Sequence, residues 1–160
     1  MILQTYRILF ELYGEQHWWP CRSGSRWEIV AGAILTQNCA WRNVEKALQN
    51  LSSLGLDTPE NISQSDMEVL RDAIRPAGFF KQKSVYLKEI AAFFVEHEAE
   101  YSRKASESEL KKRRDKLLAV KGVGRETADS ILLYAFRQPI FVIDAYTRRM
   151  AGRHLGIDGA

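Results

Sequence analysis

The sequence predicts an all-α protein, on three observations. Apolar residues recur at spacings of three and four, no stretch alternates long enough to be a strand, and glycine, proline and capping residues fall between the periodic runs. Helices are expected near 2–13, 25–37, 40–54, 64–74, 81–98, 107–119, 125–136 and 144–154. The first two rest on periodicity alone, and the third ends at Gly55, a helix-terminating residue. Ser63, with Asp66 three residues on, opens the fourth in the manner of a capping box, and Pro76 with Gly78 breaks it. The fifth begins after that break. Ser106 with Glu109 opens the sixth by the same capping pattern, and Gly122 with Gly124 separates it from the seventh. Pro139 stops the seventh, Phe141-Val142-Ile143 reads as locally extended, and Asp144 is placed to cap the eighth.

The 160 residues, 46% of them hydrophobic, suffice for one compact core with a small second lobe. No apolar run approaches the ~20 residues needed to span a bilayer. The opening Met1-Ile2-Leu3-Gln4-Thr5-Tyr6-Arg7 lacks the pattern of a secretory signal. A cytoplasmic protein without membrane contact is expected. Cys21 and Cys39 have no metal-ligand spacing and read as reduced thiols. His17, His97 and His154 are scattered, so no metal site is predicted.

A net charge of +3 and a pI near 8.9 permit nucleic-acid binding without demanding it. Distribution is more telling. Between 103 and 116 seven basic residues (Arg103, Lys104, Lys111, Lys112, Arg113, Arg114, Lys116) stand against three acids (Glu107, Glu109, Asp115). A solvated helix face would explain such a run, but its place directly before a glycine hinge favours contact with a DNA backbone.

That hinge is the most informative stretch. In Lys121-Gly122-Val123-Gly124 the glycines let backbone N–H groups approach an anion that a Cβ would hold away, and the helix opening at Gly124 points its positive end at the same place. The joint spacing of Gly122, Gly124, Pro139 and Asp144, with Gly32-Ala33-Ile34-Leu35-Thr36-Gln37-Asn38 and Gly78-Phe79-Phe80-Lys81-Gln82-Lys83 upstream, resembles the helix-hairpin-helix Gly/Pro/Asp signature of the endonuclease III superfamily of DNA glycosylases. The resemblance covers nearly the whole chain. Trp18-Trp19-Pro20 and the Thr36-Gln37-Asn38 turn are most similar to the branch that removes 3-methyladenine and related alkylated bases.

The resemblance implies a six-helix barrel over 25–135, with the helix-hairpin-helix at 107–136, and a second lobe built from 1–24 and 140–160. Family members continue with further helices, so that lobe is expected to be C-terminally truncated and to expose apolar surface. Many relatives hold an iron–sulfur cluster on four C-terminal cysteines, which this chain lacks. No cofactor is expected beyond a monovalent cation, which relatives bind at the hairpin carbonyls. The expected partner is double-stranded DNA with a damaged base, met by a nucleoid-associated monomer.

Cutting the base–sugar bond requires the base to leave the stack, which costs a few kcal/mol that pocket contacts must return. Gly122, Val123 and Gly124 are the expected phosphate anchors, with Lys121 and Arg125 beside them on the DNA surface. Gln37 and Asn38 are nominated to fill the gap left by the flipped base, though they could simply end a helix. Trp18, Trp19, Pro20 and Trp41 offer flat walls for a base at ~1–3 kcal/mol per stacked base, and an alkylated, electron-poor purine gains further through cation–π attraction; core packing is the alternative for each, and is favoured for Trp27. Lys83 is assigned to DNA or the pocket rim, with a solvated surface lysine as the alternative.

Asp144 is the candidate catalytic carboxylate, stabilising an oxocarbenium-like sugar and orienting or deprotonating water; by itself it also reads as a plain N-cap. Glu126 stands where bifunctional relatives carry the lysine that forms a Schiff base. A carboxylate there implies a monofunctional enzyme without lyase activity, and favourable first-turn charge accounts for it without catalysis. The reading is a monofunctional glycosylase for alkylated purines. The alternatives are an endonuclease III-like enzyme for oxidised or mismatched bases, or a non-catalytic helix-hairpin-helix DNA-binding module, which would bind in a salt-sensitive way without regard to base damage.

Overall fold

The computed structural model describes residues 2–16 and 18–157, and among these there are helices, turns and loops but no strand. His17 and the last three residues of the expected second lobe lie outside the described residues. The helices are α1 (Ile2–Tyr13), α2 (Arg26–Leu35), α3 (Trp41–Ser53), α4 (Pro59–Gln64), α5 (Met67–Ala73), α6 (Phe80–Tyr101), α7 (Glu107–Ala119), α8 (Arg125–Ser130) and α9 (Ala145–Leu155). A 3-10 turn, Arg75–Ala77, leads to α6, and α8 widens into a π-turn over Ile131–Ala135.

Local chemistry accounts for the boundaries. The Ser25 side chain accepts from Trp27 N to start α2, and the Ser106–Glu109 capping box forms in full at α7. The expected box at Ser63 does not form: Ser63 sits inside α4, and Asp66 itself caps α5 by accepting from Glu68 N (2.8 Å) and Val69 N (3.1 Å). The helix expected over 64–74 thus begins only at Met67, and a separate helix that was not expected, α4, precedes it. Periodicity alone does not reveal α4, whose signals are Thr58 as N-cap and Pro59 at the first position.

One hydrophobic core runs from Trp27 to Phe136 and collects Ile34, Leu35, Ile62, Leu70, Leu87, Ile90, Leu117 and Leu132. Its middle is α2, which is buried from Val30 through Leu35. α1 buries none of its residues, and Leu3, Tyr6, Leu12 and Tyr13 stand open to solvent.

Two polar devices fix α7 and α8 against this core. Buried Gln138 donates through Nε2 to the carbonyls of Phe136 (3.0 Å), Arg103 (3.2 Å) and Tyr101 (3.4 Å) and accepts from Ala105 N, so the end of the α8 segment is tied to the α6–α7 corner. Arg114 on α7 reaches Asp129 on α8 with a two-pronged pair at 2.6 and 3.0 Å. Replacing Arg114 by alanine strands the Asp129 carboxylate and is expected to cost roughly 2–4 kcal/mol, discounted because Arg114 keeps partial solvent contact. Urea denaturation of Arg114→Ala checks this.

Candidate active site

α7 ends at Ala119 with Val120 as its C-cap, and the chain turns through Lys121, Gly122, Val123 and Gly124 into α8. Gly122 has φ +88° and lies flat against the Tyr86 ring of α6; a Cβ there would meet that ring at 2.1 Å. Val123 is buried and holds the turn to the core. Gly124 differs: its backbone is extended (φ −89°, ψ 178°) and a Cβ would meet nothing within 4 Å. The fold has no need of glycine at 124, so the empty space there is open to a ligand approaching the backbone. Lys121 and Arg125 are exposed on either side, with no side-chain bond among the described residues.

Beside the hairpin stands the turn after α2. The Gln37 amide donates to Gly122 O (2.9 Å) and to Thr127 Oγ1 (3.1 Å), so this side chain is a strut between turn and hairpin rather than a free finger. Asn38 is the exposed one, and it holds a left-handed backbone at φ 50°. A second such turn lies before α6: Phe79 has φ 44° and is 66% exposed. A bulky residue kept in that backbone region and left in solvent is costly on both counts and points to use. Phe79 is a functional candidate that sequence reasoning missed; its signal was an aromatic directly after Gly78 where a helix must restart.

The carboxylates converge at the start of α9. Asp144 caps that helix through one oxygen, accepting from Thr147 N at 2.7 Å, and its other oxygen has no hydrogen bond among the described residues. Partial desolvation and then the charge of Asp144 hold the Glu126 carboxyl above its usual pKa, with Arg148 pulling the other way. The same two causes raise Tyr134, which keeps its phenol neutral. Tyr134 comes from the π-turn, a kind of distortion found often at functional sites. Its ring meets Trp19 at 5.4 Å, and Trp19 meets Trp41 edge-on at 5.5 Å. Trp19 lies against Gly32, where a Cβ would come within 3.2 Å of the indole. An aromatic wall therefore leads from the acids to α3. Trp18 is 65% exposed and has no ring partner among the described residues, while Trp27 is core. A cavity of about 330 Å³ backs onto this wall, lined by Pro20, Trp27, Glu28, Trp41, Glu45 and Leu48; neither Asp144 nor any hairpin residue borders it.

The hairpin, the two exposed turns and the neighbouring Glu126 and Asp144 carboxylates belong to a chain that is similar to known proteins along most of its length. Residues 31–160 match the model of the HhH-GPD superfamily of base excision DNA repair proteins. The chain belongs to that superfamily. A Methanocaldococcus jannaschii protein provisionally named a DNA repair glycosylase is 46% identical over 158 residues, 98% of this chain and 70% of the relative. Endonuclease III of Sulfolobus acidocaldarius is 34% identical over 132 residues, 82% of this chain and 56% of the relative. Among solved structures, H. pylori 3-methyladenine DNA glycosylase bound to 1,N6-ethenoadenine superposes with a TM-score of 0.75 at 29% identity, over 98% of this chain and 73% of that one. An endonuclease III–DNA complex, at 22% identity and a TM-score of 0.74, shares the fold.

Within this HhH-GPD chain, two assignments to DNA are corrected. Lys83 is 3% exposed, and its ammonium donates to Leu35 O (2.7 Å) and Ala77 O (2.8 Å), so it faces neither solvent nor DNA. Much of the basic run on α7 is also engaged: Arg113 is buried and donates to Arg103 O, Arg114 holds Asp129, and Lys116 pairs with Glu100 at 2.9 Å. Arg103, Lys104, Lys111 and Lys112 remain exposed. Among the described residues no group of three or more His, Cys, Asp and Glu could hold a metal ion, and no helix is long and apolar enough to cross a membrane.

Proposed function

We propose that this chain carries the DNA-engaging and base-releasing machinery of a monofunctional DNA glycosylase for alkylated purines. The observation that carries the reading is the free oxygen of Asp144 next to Glu126 and Tyr134, at the end of the Trp19–Trp41 wall. The likeness to a 3-methyladenine glycosylase bound to an etheno-purine supports the substrate class.

The hairpin amides and exposed Lys121 and Arg125 take the phosphates of one strand, setting register without reading bases. Asn38 and Phe79 enter the stack as the base leaves, the polar finger filling the vacated space and the aromatic one separating neighbouring bases. The base rests against the aromatic wall, where a cationic purine gains from the π-faces. As the C1′–N bond breaks, its electron pair goes to the purine, and positive charge builds on the sugar beside the Asp144 carboxylate. Water then attacks C1′ and gives up a proton to the same carboxylate. The nearby Glu126 takes up a proton more readily than a free glutamate, which relieves repulsion and leaves the negative charge on Asp144. With no amine at 126, no Schiff base forms and the product is an abasic site.

A monovalent cation at the hairpin belongs to the proposal. The backbone carbonyls around Val120 and Val123 are hard oxygen donors of the kind such an ion takes. No redox cofactor is required, and the chain works as a monomer.

The test is incubation with methylated duplex DNA. Free 3-methyladenine should appear, borohydride should trap no protein–DNA adduct, and strand breaks should need alkali. Tight duplex binding with no base released would leave only a DNA-binding module. Phe79→Ala, on a side chain 66% exposed, should leave the melting temperature nearly unchanged while slowing single-turnover release about tenfold, the worth of a base–aromatic contact.

A further inference from the structure

Lys83 is the buried charge that this machinery leaves unexplained. The residue is 3% exposed and its ammonium has no carboxylate partner among the described residues; the ionisable side chain that acts on it is the Cys39 thiol. Its two bonds run to carbonyls far apart in the chain, Leu35 at the end of α2 and Ala77 at the end of the 3-10 turn. No backbone N–H among the described residues is bonded to either carbonyl. Burying an ammonium without a counter-ion is expensive, and desolvation lowers its pKa accordingly. Neutral donors could satisfy two carbonyls at lower cost.

The residues just beyond each carbonyl distinguish this lysine from a generic core plug. Three residues after Leu35 stands Asn38, with φ 50°, and two after Ala77 stands Phe79, with φ 44°. These are two of the three non-glycine residues with positive φ among the described residues, and both are exposed fingers. Strained conformations persist only where the surroundings over-determine them. One buried cation, bonded to the base of both turns, supplies that determination and fixes the distance between them.

We infer that Lys83 is a positioning residue that holds the Asn38 and Phe79 turns in fixed relation, and through them sets the efficiency of base flipping. The inference rests on the glycosylase reading for its consequence, though not for the brace itself. Three measurements on Lys83→Met and Lys83→Arg separate the two: amide hydrogen exchange, fluorescence of 2-aminopurine beside the lesion at saturating protein, and single-turnover base release. In Lys83→Met, exchange should rise together at 36–40 and 77–80 and stay unchanged at 120–124, while duplex binding persists. The flipping signal should fall, and release should slow roughly tenfold to a hundredfold, as small misplacements of reacting groups do. Lys83→Arg, which keeps a cation with several donors, should restore much of both. Wild-type exchange at both turns in Lys83→Met, or release that falls only with the folded fraction, would overturn the brace. If Lys83→Met does not fold, Lys83→Gln is read the same way: loosened turns support the need for the cation, and wild-type turns and release overturn it. Should wild-type protein itself neither flip nor release a base, the glycosylase reading fails, and the exchange data alone judge the brace.

Discussion

Asp144→Asn is expected to lower single-turnover base release by about 10²–10³-fold, the usual loss when one preorganised electrostatic group is removed from a transition state. The choice of asparagine separates chemistry from folding. Asp144 caps α9 by accepting from Thr147 N at 2.7 Å, and asparagine is as good an N-cap as aspartate. The helix should therefore stay in place, with duplex binding and melting temperature near wild type. Asparagine cannot carry the negative charge that meets the developing cation, nor accept the proton of the attacking water. If Asp144 were only a cap, Asp144→Asn would release base at the wild-type rate. Asp144→Ala should lose both functions, with an added cost of about 1 kcal/mol in stability from the missing cap.

Sequence reasoning succeeds in this chain where the determinants are local and fails where they are not. Helical periodicity, the Ser106–Glu109 box and the stops at Gly55, Gly78 and Gly122 appear in the structure because each is settled within a few residues. The role of Lys83 could not be read that way, since it depends on a carbonyl 48 residues distant. Nor could the fate of the basic run, because Arg114 finds Asp129 and Lys116 finds Glu100 only after α6, α7 and α8 have packed. Gln37 and Asn38 stand together in the sequence as candidates, yet only three-dimensional placement makes one a strut to the hairpin and leaves the other exposed. Tyr134 and Arg148 carry no motif at all. They become part of the site through the electrostatics they share with Asp144 and Glu126.

The two hinge glycines, alike in sequence, should respond in opposite ways to the same substitution. Gly122→Ala must both hold alanine at φ +88° and fit a methyl where the Tyr86 ring stands 2.1 Å away. Tyr86 is half-buried and packed against the core, so the ring cannot swing clear without opening a gap beside it. Overpacking of 1–3 kcal/mol with backbone strain of a further ~1 kcal/mol gives an expected destabilisation of roughly 2–4 kcal/mol. The loss should extend to DNA binding, because Gly122 O is also the anchor of the Gln37 strut. Gly124→Ala meets open space and an extended backbone that alanine adopts freely, so stability should hold or rise by up to ~1 kcal/mol from the stiffer unfolded chain. A methyl at 124 nevertheless stands where the phosphate has to approach the amides. Duplex affinity should therefore drop about tenfold, the scale of one lost charge-assisted hydrogen bond, in a protein that is fully folded. Chemical denaturation and duplex titration of the two variants check both arms. Gly124→Ala with wild-type affinity would move the phosphate contact away from the hairpin and leave Gly124 as a neutral position.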